Sequence, residues 1–345
     1  MWQVIGQDKI LTLLDNNLKQ NTMAHAYLLL GAPHTGKMTL ATNIAQALNC
    51  DDIKPPCGQC QSCRLIAAGK HADVILTSLD SKLASRTEIG IDTIKELQRA
   101  ANLPPYEGKC KVLIIYEAEY LSAEASNRLL KILEEPPQNV VWLLLSAEEP
   151  RLLPTIISRC QRLILKTVPP EQIQKLLSDS HGVEPPQAKL LSRLCQGCPG
   201  WALSAAADDN LLQQRQKRID KIKSLIEGSL DQRFTYAQQL AIMFSKDRRA
   251  AMEVTGTWLT WWRDLMLIKG GYEKTITNVD YEAILKKQAK ELSLSQVKEF
   301  LVNLFQTQKA ISMNVNARLA LESLMLNLPT KSNITGGVTE ERSEF

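Results

Sequence analysis

The sequence has no long apolar run and almost no excess of charge of one sign. Apolar runs such as Val140–Leu145 are far shorter than the ~18–20 residues that span a bilayer. The first residues also lack the basic-then-apolar layout of a secretion signal. We therefore expect a cytoplasmic protein. Because 41 basic side chains nearly balance 37 acidic ones, any contact with nucleic acid has to come from a local patch.

Cysteine is frequent, with eight residues, but half of them crowd into one short segment. Structural disulfides are rare in a reducing compartment, so this crowding favours metal binding. Four thiolates can form a closed tetrahedral zinc site, and we expect structural Zn²⁺ in a stapled loop. Reduced thiols, a redox pair or an iron–sulfur cluster remain as alternatives. The four candidate metal ligands are Cys50, Cys57, Cys60 and Cys63.

Short apolar runs alternate with amphipathic segments in the first half of the chain, which predicts an α/β fold with a parallel sheet. The predicted strands are Ala26–Leu30, Asp73–Thr77, Lys111–Ile115, Val140–Leu145 and Gln161–Leu165. Strand signals stop near Pro169–Pro170, and the rest is typical of helices. We predict an α/β domain over 1–166, a small helical unit over 167–210, an all-helical domain over 211–329 and a disordered tail over 330–345.

One segment nearly matches the phosphate-binding P-loop, G-x-x-x-x-G-K-[ST]. It follows a predicted strand and opens a predicted helix, which is the context that the motif requires. Its glycines let backbone N–H groups surround a phosphate, and the helix N-terminus and the lysine add positive charge. The candidate nucleotide-binding residues are Gly31, Gly36, Lys37 and Thr39.

Both side chains that usually hold Mg²⁺ in such a site are missing. Met38 replaces the Ser or Thr of the motif, and a thioether is a poor ligand for a hard cation. Thr39 is turned by ~100° on a helix, away from that position. Tyr116 stands where the strand-end Asp is expected, although Glu117 beside it could polarise a water molecule or simply be solvated. We therefore expect weak nucleotide binding and little hydrolysis.

A series of further motifs resembles the delta-prime subunits of the bacterial DNA polymerase III clamp loader, which have an AAA+ fold. The sharpest matches lie within residues 1–165, and weaker ones follow at 197–200 and 314–322. Besides the P-loop and the cysteines, the matching segments are Val4–Gln7, His25–Tyr27, Gly90–Leu97, Pro105–Gly108, Asn127–Pro137 and Pro154–Cys160.

The resemblance implies an AAA+ P-loop domain, a helical lid and a helical collar that joins a five-subunit ring. The implied partners are the gamma/tau ATPase subunits, the delta subunit, the sliding clamp and, through the assembly, primed DNA. In this family the arginine of the Ser-Arg-Cys motif, here Arg159, reaches the γ-phosphate bound by the neighbouring subunit. Such an arginine finger stabilises charge in the transition state.

The same resemblance implies a subunit of a DNA-directed DNA polymerase holoenzyme with little or no ATPase activity of its own. Trp201 stands where motor subunits tend to carry a phosphate-sensing arginine, and this agrees with the losses at Met38 and Tyr116. The alternative is an active gamma/tau-like ATPase subunit of the same clamp loader. Separately, Trp258, Trp261 and Trp262 share one helix face and indicate a core or an interface.

Overall fold

The computed structural model describes residues 2–79, 88–312 and 315–329, so the tail predicted for 330–345 and Asn314 of one matching segment lie outside the described residues. These residues form two compact units, one from residues up to 182 with 197–202, and the other from 183–196 with 203 onward. Across the described ranges, no helix combines the length and apolarity needed to cross a membrane.

The first unit is built on a parallel sheet, as predicted. Within the described residues the sheet has five strands, in the order β2-β3-β4-β1-β5. All their pairings are parallel, and three predicted strand ends shift by one residue. The strands are β1 (Ala26–Leu30), β2 (Val74–Thr77), β3 (Lys111–Ile115), β4 (Val140–Ser146) and β5 (Gln161–Ile164).

Helices cover both faces of this sheet, which is why its central strands are mostly apolar. Successive side chains of a strand point to opposite faces. Leu28 and Leu30 accordingly pack in a cluster with α4 and α5, whereas Tyr27 and Leu29 pack in a cluster with α1 and α2. The helices are α1 (Asp8–Gln20), α2 (Lys37–Asn49), α3 (Gln61–Ala67), α4 (Ile91–Ala101), α5 (Ala123–Glu134), α6 (Pro154–Ile157) and α7 (Pro170–Lys175), which continues as a π-helical turn over Leu176–Ser180.

The strand order places two loops at the same edge of the sheet. Strand β4 pairs with β1 on one side and with β3 on the other. The phosphate loop follows β1, and the segment with Glu117 follows β3. Because carboxyl ends of parallel strands meet at one edge, these two loops lie where ligands of such sheets bind.

The second unit is helical, as predicted. Its core contains Trp258, Trp261 and Trp262, all almost completely buried, so these side chains belong to the interior. The ring of Trp262 lies 4.4 Å from that of Phe300. The helices here are α8 (Pro185–Leu194), α9 (Pro199–Ala207, which starts in the first unit), α10 (Asn210–Glu227), α11 (Leu230–Lys246), α12 (Arg248–Lys269), α13 (Glu282–Glu291), α14 (Leu294–Ser312) and α15 (Ala317–Leu326).

Arg233 stabilises this unit in a way that a mutation can test. Its side chain is 4% exposed, and its guanidinium donates to the carbonyl oxygens of Leu225, Ile226 and Leu328. Arg233→Met would leave the carbonyl oxygens of Ile226 and Leu328 without this donor, whereas that of Leu225 keeps the N–H of Gly228. We expect a loss of about 2–4 kcal/mol in the free energy of unfolding. Denaturant unfolding followed by the fluorescence of the buried tryptophans measures this loss.

The matched control is Arg99→Met, because Arg99 is exposed on α4. Removing that side chain should change the free energy of unfolding by less than about 0.5 kcal/mol. Equal stability of the two variants would contradict the role given to Arg233.

Candidate functional site

The phosphate loop joins β1 to α2 through two glycines with positive φ. Gly31 has φ +154° and Gly36 has φ +98°, conformations that side chains with a Cβ rarely adopt. A Cβ on Gly31 would also lie 2.9 Å from the carbonyl oxygen of Leu165. The loop therefore depends on glycine at the two positions that the motif specifies.

Lys37 is the first residue of α2, and its ammonium group binds the loop itself. The side chain is 7% exposed. Its Nζ donates to the carbonyl oxygens of Gly31 at 2.6 Å and of Ala32 at 2.9 Å. Burial lowers the pKa of Lys37, and the negative charge of Glu119 opposes this effect, followed by Cys198 and Glu117. Because an ammonium group has three N–H donors, one donor of Lys37 remains for a phosphate.

The first residues of α9 also contact the loop. The backbone N–H of Gly200 donates to the carbonyl oxygen of His34 at 2.9 Å. A Cβ on Gly200 would approach the same oxygen to 3.0 Å, so only glycine allows this contact without a shift. Thr35 Oγ1 donates to the carbonyl oxygen of Ala32 at 2.8 Å. The loop is therefore braced both by its own hydroxyl and by the 197–202 segment.

Met38 and Tyr116 stand where active P-loop sites have the two residues that hold Mg²⁺. Both side chains pack against the apolar cluster between the sheet and helices α1 and α2. Thr39, the other hydroxyl of the motif, is exposed. The two positions that would hold Mg²⁺ in an active site therefore carry side chains that contribute to packing.

Two glutamates follow β3. Glu119, which the sequence motif did not single out, is more buried than Glu117. Glu117 is half-buried and has φ +58°, which is uncommon for a residue with a Cβ. Glu119 is 9% exposed, and its Oε1 accepts from the N–H of Ala147. Its Oε2 is buried with no hydrogen-bond partner among the described residues. The Glu-x-Glu spacing was visible in the sequence, but only the fold shows which of the two carboxylates is buried.

The four cysteines of the 50–63 segment come together as a possible metal site. Their sulfur atoms all lie within 4.8 Å of one another. Cys50 Sγ is 4.0 Å from Cys60 Sγ, and Cys57 Sγ is 3.9 Å from Cys63 Sγ. The ligands of a tetrahedral zinc ion with Zn–S distances of about 2.3 Å lie ~3.8 Å apart. The donor set and its spacing thus fit such an ion.

The expectation that the last three cysteines lie in a loop without a helix is wrong. Helix α3 begins directly after Cys60, whose sulfur caps it by accepting from the N–H of Cys63. Two cysteines separated by two residues can share one helical turn when the first is the cap. Further backbone N–H groups donate to Sγ of Cys50 and Cys57. Hydrogen bonds from the N–H groups of Cys60 and Gln59 lower the pKa of the Cys57 thiol to about 6, whereas burial raises that of Cys63 to about 12.

The cysteine segment is attached to the sheet through Asn49, the last residue of α2. Asn49 Oδ1 accepts from the backbone N–H groups of Lys109 and Cys110, just before β3. The Asp73 carboxylate accepts from the three preceding N–H groups, those of residues 106–108. The Pro105–Gly108 motif is therefore a structural turn held by two buried side chains.

Arg159 forms its hydrogen bonds with residues outside the phosphate loop. It follows α6 and is 35% exposed at its side chain. Its Nη2 donates to Glu134 Oε1 at 2.6 Å, and its Nη1 donates to the carbonyl oxygen of Thr155 at 3.1 Å. Among the residues that the structure describes, no hydrogen bond or ion pair joins Arg159 to Lys37 or Glu119.

A basic cleft lies between α4 and α5. Its volume is about 230 Å³, and it is lined by Lys95, Gln98, Arg99, Asn102 and Arg128. Lys95 forms an ion pair with Asp92 at 2.9 Å, and Arg128 Nε donates to Gln98. Three cations and two amides make this cleft suitable for an anion.

Two family models match the chain. One, described as "DNA polymerase III, delta subunit", matches residues 6–169, and the other, "DNA polymerase III, delta subunit, C terminal", matches residues 209–330. The first unit is a parallel sheet with a phosphate-loop motif, and the chain belongs to the clamp-loader subunits of DNA polymerase III.

Within this family the chain is of the delta-prime type. It is 28% identical to DNA polymerase III subunit delta' of Bacillus subtilis (strain 168), over 93% of this chain and 96% of that protein. It is 38% identical to subunit tau of Escherichia coli (strain K12), but over 58% of this chain and only 31% of tau. A gamma subunit-related protein of Thermotoga maritima superposes with a TM-score of 0.48 at 19% identity, covering 92% of this chain and 99% of that one.

Proposed function

We propose that this chain is a largely non-hydrolysing member of the clamp-loader ring and that Arg159 acts on the nucleotide of the neighbouring subunit. The observation that carries the proposal is that Met38 and Tyr116, at the two positions that would hold Mg²⁺, pack against an apolar cluster instead. An ATPase needs Mg²⁺ on the phosphates. Arg159 instead lies on the surface, as a group that acts on another subunit must.

The proposed partners of this chain follow from its place in the ring. They are the gamma/tau and delta subunits, the sliding clamp and primed DNA, and the helices of 211–329 form the collar that joins the subunits. Residues 1–166 form the AAA+ domain and 167–210 the lid. The basic cleft supports the DNA part, because Arg99 and Arg128 in its lining form a local cluster of cations, which favours phosphates. Such an assembly acts in the cytoplasm.

The metal in this proposal is zinc, held by the four cysteines of the 50–63 segment. Four sulfur ligands complete the tetrahedral coordination of zinc and leave no open position. The ion would therefore stabilise the segment and would take no part in a reaction. The sulfur spacings of 3.9 and 4.0 Å support this assignment.

Lys37→Ala tests whether this chain hydrolyses ATP. We expect the isolated wild-type chain and the variant both to show background hydrolysis, because Met38 and Tyr116 remove the support for Mg²⁺. In the complex, the variant should stay within about twofold of the wild-type ATPase rate. A thermal melt checks that the loop without its lysine is still folded.

The alternative is an active ATPase subunit of gamma/tau type, which the 38% identity to the Escherichia coli tau subunit favours. It predicts the opposite result, namely hydrolysis by the isolated chain that Lys37→Ala abolishes. That outcome would replace the first proposal with the second.

A further inference from the structure

Glu134 is the last residue of α5 and belongs to the Leu-Glu-Glu-Pro-Pro motif, whose function the proposal above does not explain. Its Oε1 accepts from Arg159 Nη2 at 2.6 Å, a short distance for a charge-assisted hydrogen bond. The carbonyl oxygen of Thr155 accepts from Nη1 of the same guanidinium. Arg159 is therefore held at both of its terminal nitrogen atoms by its own chain.

The contact contributes little to the stability of the fold. The side chains of Arg159 and Glu134 are 35% and 51% exposed, and exposed pairs of this kind contribute only about 0–1 kcal/mol. An arginine side chain, however, has about 2 kcal/mol of rotamer entropy to lose when it becomes ordered. The ion pair already restricts the Arg159 side chain, so less rotamer entropy is lost when the arginine binds a phosphate. The main effect of the pair is therefore on the orientation of the guanidinium.

Both partners sit on well-anchored backbone. Ile132 and Leu133, directly before Glu134, are buried in the core, and so are Ile156 and Cys160 on the other side of the pair. The guanidinium has five N–H donors, and its two hydrogen bonds use two of them. Three donors remain for the oxygens of a phosphate while Glu134 stays in place.

We propose that Glu134 is a positioning residue for Arg159, which orients the guanidinium toward the nucleotide of the neighbouring subunit. This inference rests on the proposed function of Arg159. A group that is ordered beforehand needs no reorganisation when charge develops in the transition state. Loss of the positioning carboxylate should therefore lower kcat and leave KM for ATP unchanged.

The test uses the clamp-loader complex reconstituted with Glu134→Gln, which keeps the shape of the side chain and removes its charge. We expect kcat for ATP hydrolysis to fall ~3- to 10-fold, with KM within about twofold of wild type. Glu135→Gln is the matched control, because Glu135 is the adjacent exposed carboxylate and has no ion pair among the described contacts. That variant should behave like wild type.

Arg159→Ala and the double variant separate this inference from the function on which it rests. If Glu134 acts through Arg159, Glu134→Gln has no further effect in the Arg159→Ala background. If Arg159→Ala lowers the rate but Glu134→Gln does not, the positioning inference is wrong and the arginine finger stands. If the loss from Glu134→Gln persists without Arg159, the inference is also wrong. If Arg159→Ala has no effect, the proposed function itself fails.

Discussion

Replacing Arg159 with alanine should lower ATP hydrolysis at the neighbouring subunit's site by ~10³- to 10⁵-fold. In the proposed function the guanidinium supplies charge that the transferring phosphate needs only in the transition state, so the loss should appear in kcat. The chain should still fold and assemble, because its two described hydrogen bonds lie at an exposed glutamate and a backbone carbonyl. The readout is ATP hydrolysis by the reconstituted complex, corrected for the rate without this chain.

Arg162→Ala is a close control for this experiment. Arg162 lies three residues further along, is 46% exposed and pairs with Glu149 at 2.7 Å, much as Arg159 pairs with Glu134. Loss of an exposed ion pair alone should therefore leave the hydrolysis rate unchanged. Gel filtration shows whether both variants assemble. A wild-type rate in an assembled Arg159→Ala complex would exclude the action on a neighbouring nucleotide.

The second large effect concerns the metal. Purified protein should contain about one zinc ion per chain, and Cys57→Ser should reduce this content to near zero. Serine replaces a soft thiolate with a neutral hydroxyl, and we expect the affinity to fall by more than ~100-fold. The sheet and its two apolar clusters do not include the 50–60 loop, so the rest of the first unit should remain folded. Elemental analysis measures the metal, and limited proteolysis measures the local loss of order.

Cys198→Ser provides the comparison, because Cys198 is exposed to a similar degree as Cys57 but lies outside the cluster. This variant should retain its zinc. Iron with acid-labile sulfide in the wild-type protein would identify an iron–sulfur cluster instead. Retention of zinc by Cys57→Ser would show that the four sulfurs do not act together.

The sheet was predictable because its strands carry a strong local signal. Val112–Ile115 and Val140–Leu145 are apolar along their whole length, as is typical of strands buried on both faces. The cysteine cluster was predictable as well, because the close spacing of these residues in the sequence limits where their sulfur atoms can lie. Helix α3, which begins directly after Cys60, was missed, since a cysteine cap carries no signal that distinguishes it from a loop residue.

The contacts of the candidate site were less predictable, because they join residues that are distant in sequence. Arg159 and Glu134 are 25 positions apart, and the N–H of Ala147 reaches Glu119 across 28. Nor does the P-loop pattern reveal that Lys37 binds the carbonyl oxygens of its own loop, since these contacts depend on how the loop folds. Such distinctions depend on tertiary packing, which local patterns do not encode.

Helix α2 starts with Lys37 at the phosphate loop and ends with Asn49, next to the first cysteine of the metal segment. At thirteen residues it is ~20 Å long, and Leu40, Ala41, Ile44 and Ala45 bury one side of it against the sheet. The sheet thus fixes this helix whether or not either end carries a ligand. Loss of the proposed metal at one end, or of nucleotide binding at the other, would therefore leave the support of the opposite end intact.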